Sequence, residues 1–348
     1  MITVLVFLSS GLFLGWSLGA NDAANIFGTA VGSKMIKFRD AAIVGSIFVI
    51  LGAVISGAGA SHSLGKLGAI TQLPGAFIVA FSAGFTVYWM TRLKLPVSTS
   101  QAIVGAIIGW NFFSGNQTDL QTLSKIVMTW VLCPVLAAGF SFSLYFLVRS
   151  ILQRCKLHMI RQDSLTRFLL IITGAFGAYS LGANNIANVM GVFIPVAPFS
   201  DINLFGSITL NSTQVLFFIG GLSIAVGIIT YSKRVMLTVG KGIFKLSPVT
   251  AFIVVLSSSL VLFLFASQGL KDWMISVGLP SFPLIPVSSS QAVVGAVLGI
   301  GLAKSGRNIN LRIIGKISMG WISTPIAAGV ISFILLFVMQ NLFLQQVF

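Results

Sequence analysis

The chain has 348 residues, 56% of them hydrophobic and 8% charged, with a mean hydropathy of +1.01. A soluble domain carries roughly 25% charged residues, so this composition cannot clothe a water-facing surface; it excludes a soluble enzyme, a secreted disulfide scaffold and a disordered chain. Twenty-one Lys and Arg stand against six acids, all Asp, for a net charge of +15, a balance that suggests nucleic acid in a soluble protein but is read here from where the cations fall.

About 20 apolar residues in a helix cross a hydrocarbon core of roughly 30 Å. Ten stretches free of Asp, Glu, Lys, Arg and His, with one exception, fit that length: approximately 1 to 31, 41 to 60, 73 to 91, 96 to 113, 126 to 148, 168 to 198, 214 to 231, 248 to 266, 286 to 303 and 317 to 348. The exception is Asp22. With both termini outside, 18 of the 21 basic residues fall on inward connections, leaving Lys66, Lys125 and Lys271 outside. The positive-inside rule selects that orientation, and the basic excess is a topology signal, not a nucleic-acid surface. Met1 opens the first apolar run without a basic leader region, which reads as a first span and not as a removed signal peptide. Cys133 within a span and Cys155 in a basic loop give no disulfide framework, and His62 and His158 lack the companions of a metal site.

The chain repeats itself. Ser17-Leu-Gly-Ala-Asn-Asp-Ala-Ala-Asn25 matches Ser180-Leu-Gly-Ala-Asn-Asn-Ile-Ala-Asn188 at seven of nine positions, and the 16 residues from Leu95 match those from Ile285 at ten. A weaker match pairs Lys125, Trp130 and Pro134 with Lys316, Trp321 and Pro325. Each half holds five apolar stretches, an odd number, so the second half enters the membrane from the opposite side. The expected organisation is a first inverted repeat over 1–150, a basic cytoplasmic linker over 151–167 and a second inverted repeat over 168–348. Continuous apolar runs, rather than alternation, predict an all-α polytopic helical bundle and disfavour a β-barrel; abundant Gly, Ala and Ser permit close helix contact.

The first and sixth stretches exceed one span, and each is interrupted by Gly-Ala-Asn-Asp/Asn. The length predicts breaks at Gly19 and Gly182, with Asn and Asp capping the following half-helices. Pro96 and Pro286 suit the first turns of two short helices, whose hydroxyl residues either cap them or face a ligand. Four helix N-termini are then expected to converge near mid-membrane. Such termini present unpaired N–H groups and partial positive charge. Ser98, Thr99, Ser100, Gln101, Ser288, Ser289, Ser290 and Gln291 add donors without fixed charge, a combination suited to a tetrahedral oxyanion that must be released. Asn21, Asp22, Asn25, Asn184, Asn185 and Asn188 offer oxygen ligands for a hard cation, most simply Na⁺, which removes the cost of a carboxylate in hydrocarbon. Singly, such residues are common packing and capping groups; their repetition in both halves is what points to a site. No zinc-protease, acidic-pair or phosphate-loop pattern supports an enzyme, whereas an uncoupled anion channel would use the same termini.

At these motifs the sequence resembles the inorganic phosphate transporter (PiT) family of sodium-dependent phosphate symporters. The resemblance implies Na⁺-coupled symport of inorganic phosphate by alternating access in the plasma membrane, re-entrant hairpins carrying the Ser/Gln motifs, and a homodimer. It also admits proton coupling, or sulfate as substrate, in some branches. No cofactor is implied beyond Na⁺ as coupling ion. Carried onto this chain, phosphate falls to Asn21, Thr99, Ser100, Gln101, Asn184, Ser289, Ser290 and Gln291, and Na⁺ to Asp22, Asn25, Ser98, Asn185, Asn188 and Ser288. The family often has Asp in both halves; here the second has Asn185.

Overall fold

The computed structural model describes residues 2–93, 97–155, 158–196, 199–204, 208–242, 246–304 and 311–348; Pro96 lies outside them. The first half consists of α1 (Ile2–Gly32), α2 (Phe38–Ser56), α3 (Ala58–Leu67), α4 (Leu73–Arg92), α5 (Thr99–Ser114) and α6 (Leu120–Cys155). The second consists of α7 (Met159–Met190), α8 (Ser212–Thr230), α9 (Ser232–Gly242), α10 (Pro248–Ala266), α11 (Gln268–Ser276), α12 (Ser289–Ala303) and α13 (Leu311–Asn341). Among the described residues eight helices are long and apolar enough to cross a membrane: α1, α2, α4, α6, α7, α8, α10 and α13.

Ten spans were expected. The stretches at 96 to 113 and 286 to 303 fold instead as α5 and α12, of 16 and 15 residues. At 1.5 Å per residue they reach only about 24 and 22 Å, short of the hydrocarbon thickness. Pro286 precedes α12 and is not in its first turn; Ser288 is the N-cap. The second half carries extra residues that the apolar pattern does not organise. They form a 3₁₀ turn (Gly191–Val196), an antiparallel hairpin of β1 (Ile202–Leu204) and β2 (Ile208–Leu210) with Asn203 opposite Thr209, and α11 with an extended segment before α12. Most of 151–167, read as a linker, is the end of α6 and the start of α7.

The expected breaks at Gly19 and Gly182 are absent: α1 and α7 run unbroken for 31 and 32 residues. In α7 the length beyond the apolar stretch is polar at its start: the first turns carry Arg161, Gln162 and Asp163 and expose Met159 and Ile160. The glycines serve helix contact. A Cβ on Gly19 would strike the Ile224 carbonyl of α8, and one on Gly182 the Val49 carbonyl of α2. The same exchange recurs where Gly105 of α5 meets the Pro325 carbonyl of α13 and Gly295 of α12 meets the Pro134 carbonyl of α6. Helix contacts follow this reciprocity: α2 lies on α7 and α8 on α1, α4 on α1 and α10 on α7, α13 on α5 and α6 on α12. Absence of a side chain lets backbones approach closely, the usual means of helix association where lipid offers no hydrophobic drive. α6 and α13 keep broad apolar faces exposed, including Met128, Val131, Met319 and Ile322.

Candidate functional site

In an unbroken helix, residues at i, i+1 and i+4 share one side. α1 therefore presents Asn21, Asp22 and Asn25 together, and α7 presents Asn184, Asn185 and Asn188. α5 and α12 bring their first turns to these two faces. Each short helix is capped by the first serine of its motif: Ser98 Oγ accepts from the Gln101 N–H at 3.4 Å and Ser288 Oγ from the Gln291 N–H at 3.3 Å. An Oγ cap satisfies one of the orphan donors of a first turn, and the remaining N–H groups point past the helix end.

Side-chain bonds tie the four elements into one cluster. Asn188 Nδ2 donates to Ser100 Oγ at 2.8 Å and to Asn185 Oδ1 at 2.8 Å, joining α7 to α5. Ser100 Oγ donates to the Val287 carbonyl at 3.1 Å, joining α5 to the segment that leads into α12. Asn184 grips the same peptide from both sides, donating to Val287 O at 2.7 Å and accepting from Val287 N at 3.0 Å. On the other side Asn25 Nδ2 donates to Ser289 Oγ at 3.1 Å, joining α1 to α12. Asn21 Nδ2 donates to Asp22 Oδ1 at 2.7 Å, and the Ser289 hydroxyl faces the same carboxylate. Asp22, both serine-rich tips and all three asparagines of α7 thus stand in one place.

Two helix N-termini meet here, not four. Because α1 and α7 are continuous, their Asn and Asp side chains are not caps; they are free to bond across helices. Asp22 is 2% exposed, and Asn184, Asn185 and Asn188 are fully buried, whereas Asn21, Asn25 and Ser290 are half-buried. Ser290 Oγ shares a 3.0 Å bond with Ser288 Oγ. Four buried acceptors of the cluster have no partner: Thr99 Oγ1, Gln101 Oε1, Gln291 Oε1 and Asn188 Oδ1. An unmade bond of this kind costs about 1–3 kcal/mol, and these four belong to the motif residues of α5, α12 and α7. Among the described residues no group of three His, Cys, Asp or Glu side chains could hold a metal. A hard, weakly held cation suits the amide and carboxylate oxygens; a tetrahedral anion suits the first-turn N–H groups and hydroxyls.

Groups not assigned to the site from the sequence lie at or near it. The Val287 peptide is the most fully bonded element of the cluster, and its only signal in the sequence was the repeated Pro-Val-Ser triplet. Cys133 Sγ reaches the Ser288 carbonyl at 3.6 Å. Trp130 and Trp321, matched positions of the two halves, each bury an indole N–H without a partner, on helices packed against α12 and α5.

The phosphate transporter family matches residues 18–332 and again 275–347. A protein of Methanocaldococcus jannaschii named as a phosphate permease is 28% identical over 341 residues, spanning 96% of this chain and 99% of its own. One of Pyrococcus furiosus, named likewise, is 27% identical over 416 residues, spanning 95% and 94%. A solved structure described as the sodium-dependent phosphate transporter has the same fold, with a TM-score of 0.76 at 23% identity over 98% of this chain and 99% of that one. This multi-pass membrane protein is a transporter and not an enzyme, and the chain belongs to the phosphate transporter family.

Proposed function

We propose that the protein couples inward movement of Na⁺ to uptake of inorganic phosphate by alternating access. Asp22, Asn25, Ser98, Asn185, Asn188 and Ser288 form the Na⁺ ligands in this reading. Phosphate falls to Asn21, Thr99, Ser100, Gln101, Asn184, Ser289, Ser290 and Gln291. The observation that carries it is the buried cluster in which one carboxylate and several partnerless oxygens adjoin two helix N-termini. Without a cation the Asp22 charge repels an incoming anion; with one, the two charges offset and the N-termini take the phosphate. Two inverted repeats over 1–150 and 168–348, with the termini outside, are supported by the reciprocal glycine contacts and the basic connections. Homodimer assembly in the plasma membrane rests on the family resemblance alone.

Labelled phosphate should accumulate in proteoliposomes only under an inward Na⁺ gradient, and Asp22→Asn should cut that uptake by tenfold or more while the variant still folds. Equal uptake with choline in place of Na⁺ rejects the coupling. The presence of Asn185 opposite Asp22 favours a second reading, in which the lone carboxylate carries a proton. Uptake driven by an acid-outside gradient in choline selects it.

A further inference from the structure

At the end of the bundle that carries the basic connections, a cavity of about 360 Å³ lies between the last turns of α6, the first turn of α10 and the end of α12. Arg149 and Gln153 of α6, Ser247 at the cap of α10 and Lys304 after α12 line its polar side; Leu152 and Ile253 line its apolar side. Among the described residues the lining holds two cations and no acid. At the matched positions of the other half, offset by 191 and 190 residues, stand the neutral Gln340 and Ser114. The positive pair thus belongs to one copy of a duplicated arrangement.

We infer that this cavity binds the headgroup of an anionic phospholipid. Two cations in one cleft with hydroxyl and amide donors recognise a phosphodiester, and basic clefts between helices at the membrane surface are suited to such headgroups. The occupant is a lipid and not a dissolved anion because the cleft is amphipathic and adjoins α6, whose apolar face is exposed. Phe142 and Phe146, two turns and one turn deeper along α6 from Arg149, are 42% and 46% exposed and offer a path for acyl chains. A bound headgroup bridges α6 and α10 to the far end of α12, whose first turn carries Ser289, Ser290 and Gln291.

The test uses the full chain in neutral detergent, with thermal unfolding and native mass spectrometry against added phosphatidylglycerol, phosphatidylcholine or inorganic phosphate. Phosphatidylglycerol should be retained and raise the unfolding midpoint, and phosphatidylcholine should do neither. Apparent affinity should weaken roughly fivefold for each of Arg149→Gln and Lys304→Gln. The charge-preserving pair Arg149→Lys and Lys304→Arg should hold the lipid, which guards against misfolding of the neutral variants, and Arg154→Gln, outside the cavity, should leave retention unchanged. Equal retention of the two lipids, an equal loss in Arg154→Gln, or a midpoint rise with inorganic phosphate that disappears in the neutral variants would each overturn the proposal.

Discussion

Gln291 and Gln101 sit at matched places, two residues into the first turn of each short helix, and each buries an amide oxygen that bonds nothing. An orphaned acceptor is a net cost of about 1–3 kcal/mol, so this oxygen gives the fold no stability. Gln291→Leu should therefore leave the thermal midpoint unchanged or slightly raised while weakening phosphate binding by tenfold or more, measured by calorimetry in saturating Na⁺. A variant that loses stability and keeps its affinity would make Gln291 structural. Such exchange of stability for function is a usual mark of a binding site. The motif residues themselves were legible in the sequence because they recur in both halves. Their bonding was not: nothing in Pro-Val-Ser says that Asn184 holds the valine peptide at both its N–H and its carbonyl.

At the scale of helices, the Gly-Ala-Asn interruptions read as breaks because a 31-residue helix exceeds the apolar layer. α1 and α7 are nevertheless continuous, and their glycines serve contact with α8 and α2. Two substitutions separate those roles by magnitude. Gly→Ala in a helix gains about 1 kcal/mol from propensity alone. Gly139 of α6 has nothing within 4 Å of where a Cβ would sit, so Gly139→Ala should stabilise by about 0.5–1 kcal/mol. Gly182→Ala pushes a methyl into the Val49 carbonyl, and overpacking costs about 1–3 kcal/mol, so the net should be destabilising. Unfolding midpoints of the two variants check this; a break at Gly182 would make both substitutions alike.

A further helix-scale prediction concerns pH. Asp119, outside the spans, caps α6, and its carboxyl is held below the ordinary carboxylate range, chiefly by the Thr122 hydroxyl, with the Thr122 and Gln121 N–H groups assisting. A depressed folded value means the cap stabilises above the ordinary carboxylate range and is lost as pH falls through the folded value. The midpoint gap between the native protein and Asp119→Ala should accordingly narrow as pH is lowered past 4 or so. A constant gap would contradict the cap's role.

Over the whole molecule, the helical bundle was legible in the continuous apolar runs, and the meeting of Asp22 with both serine-rich tips in the recurrence of their motifs, although two helix N-termini meet there and not the four expected. What could not be read was the asymmetry between the two matched asparagine motifs. The α7 face is sealed, with all three asparagines fully buried, while Asn21 and Asn25 of α1 remain half-open. The hairpin, α11 and the extended segment before α12 follow no apolar period, so they left no pattern. The account stands on the coupling between one acid and one anion. Phosphate affinity measured by equilibrium binding across a Na⁺ titration, at constant ionic strength with choline, tests it most directly. Na⁺ should tighten phosphate by about 5–150-fold, with phosphate tightening Na⁺ by the same factor, and Asp22→Asn should abolish the dependence. An affinity indifferent to Na⁺, or a dependence that survives in Asp22→Asn, would contradict it.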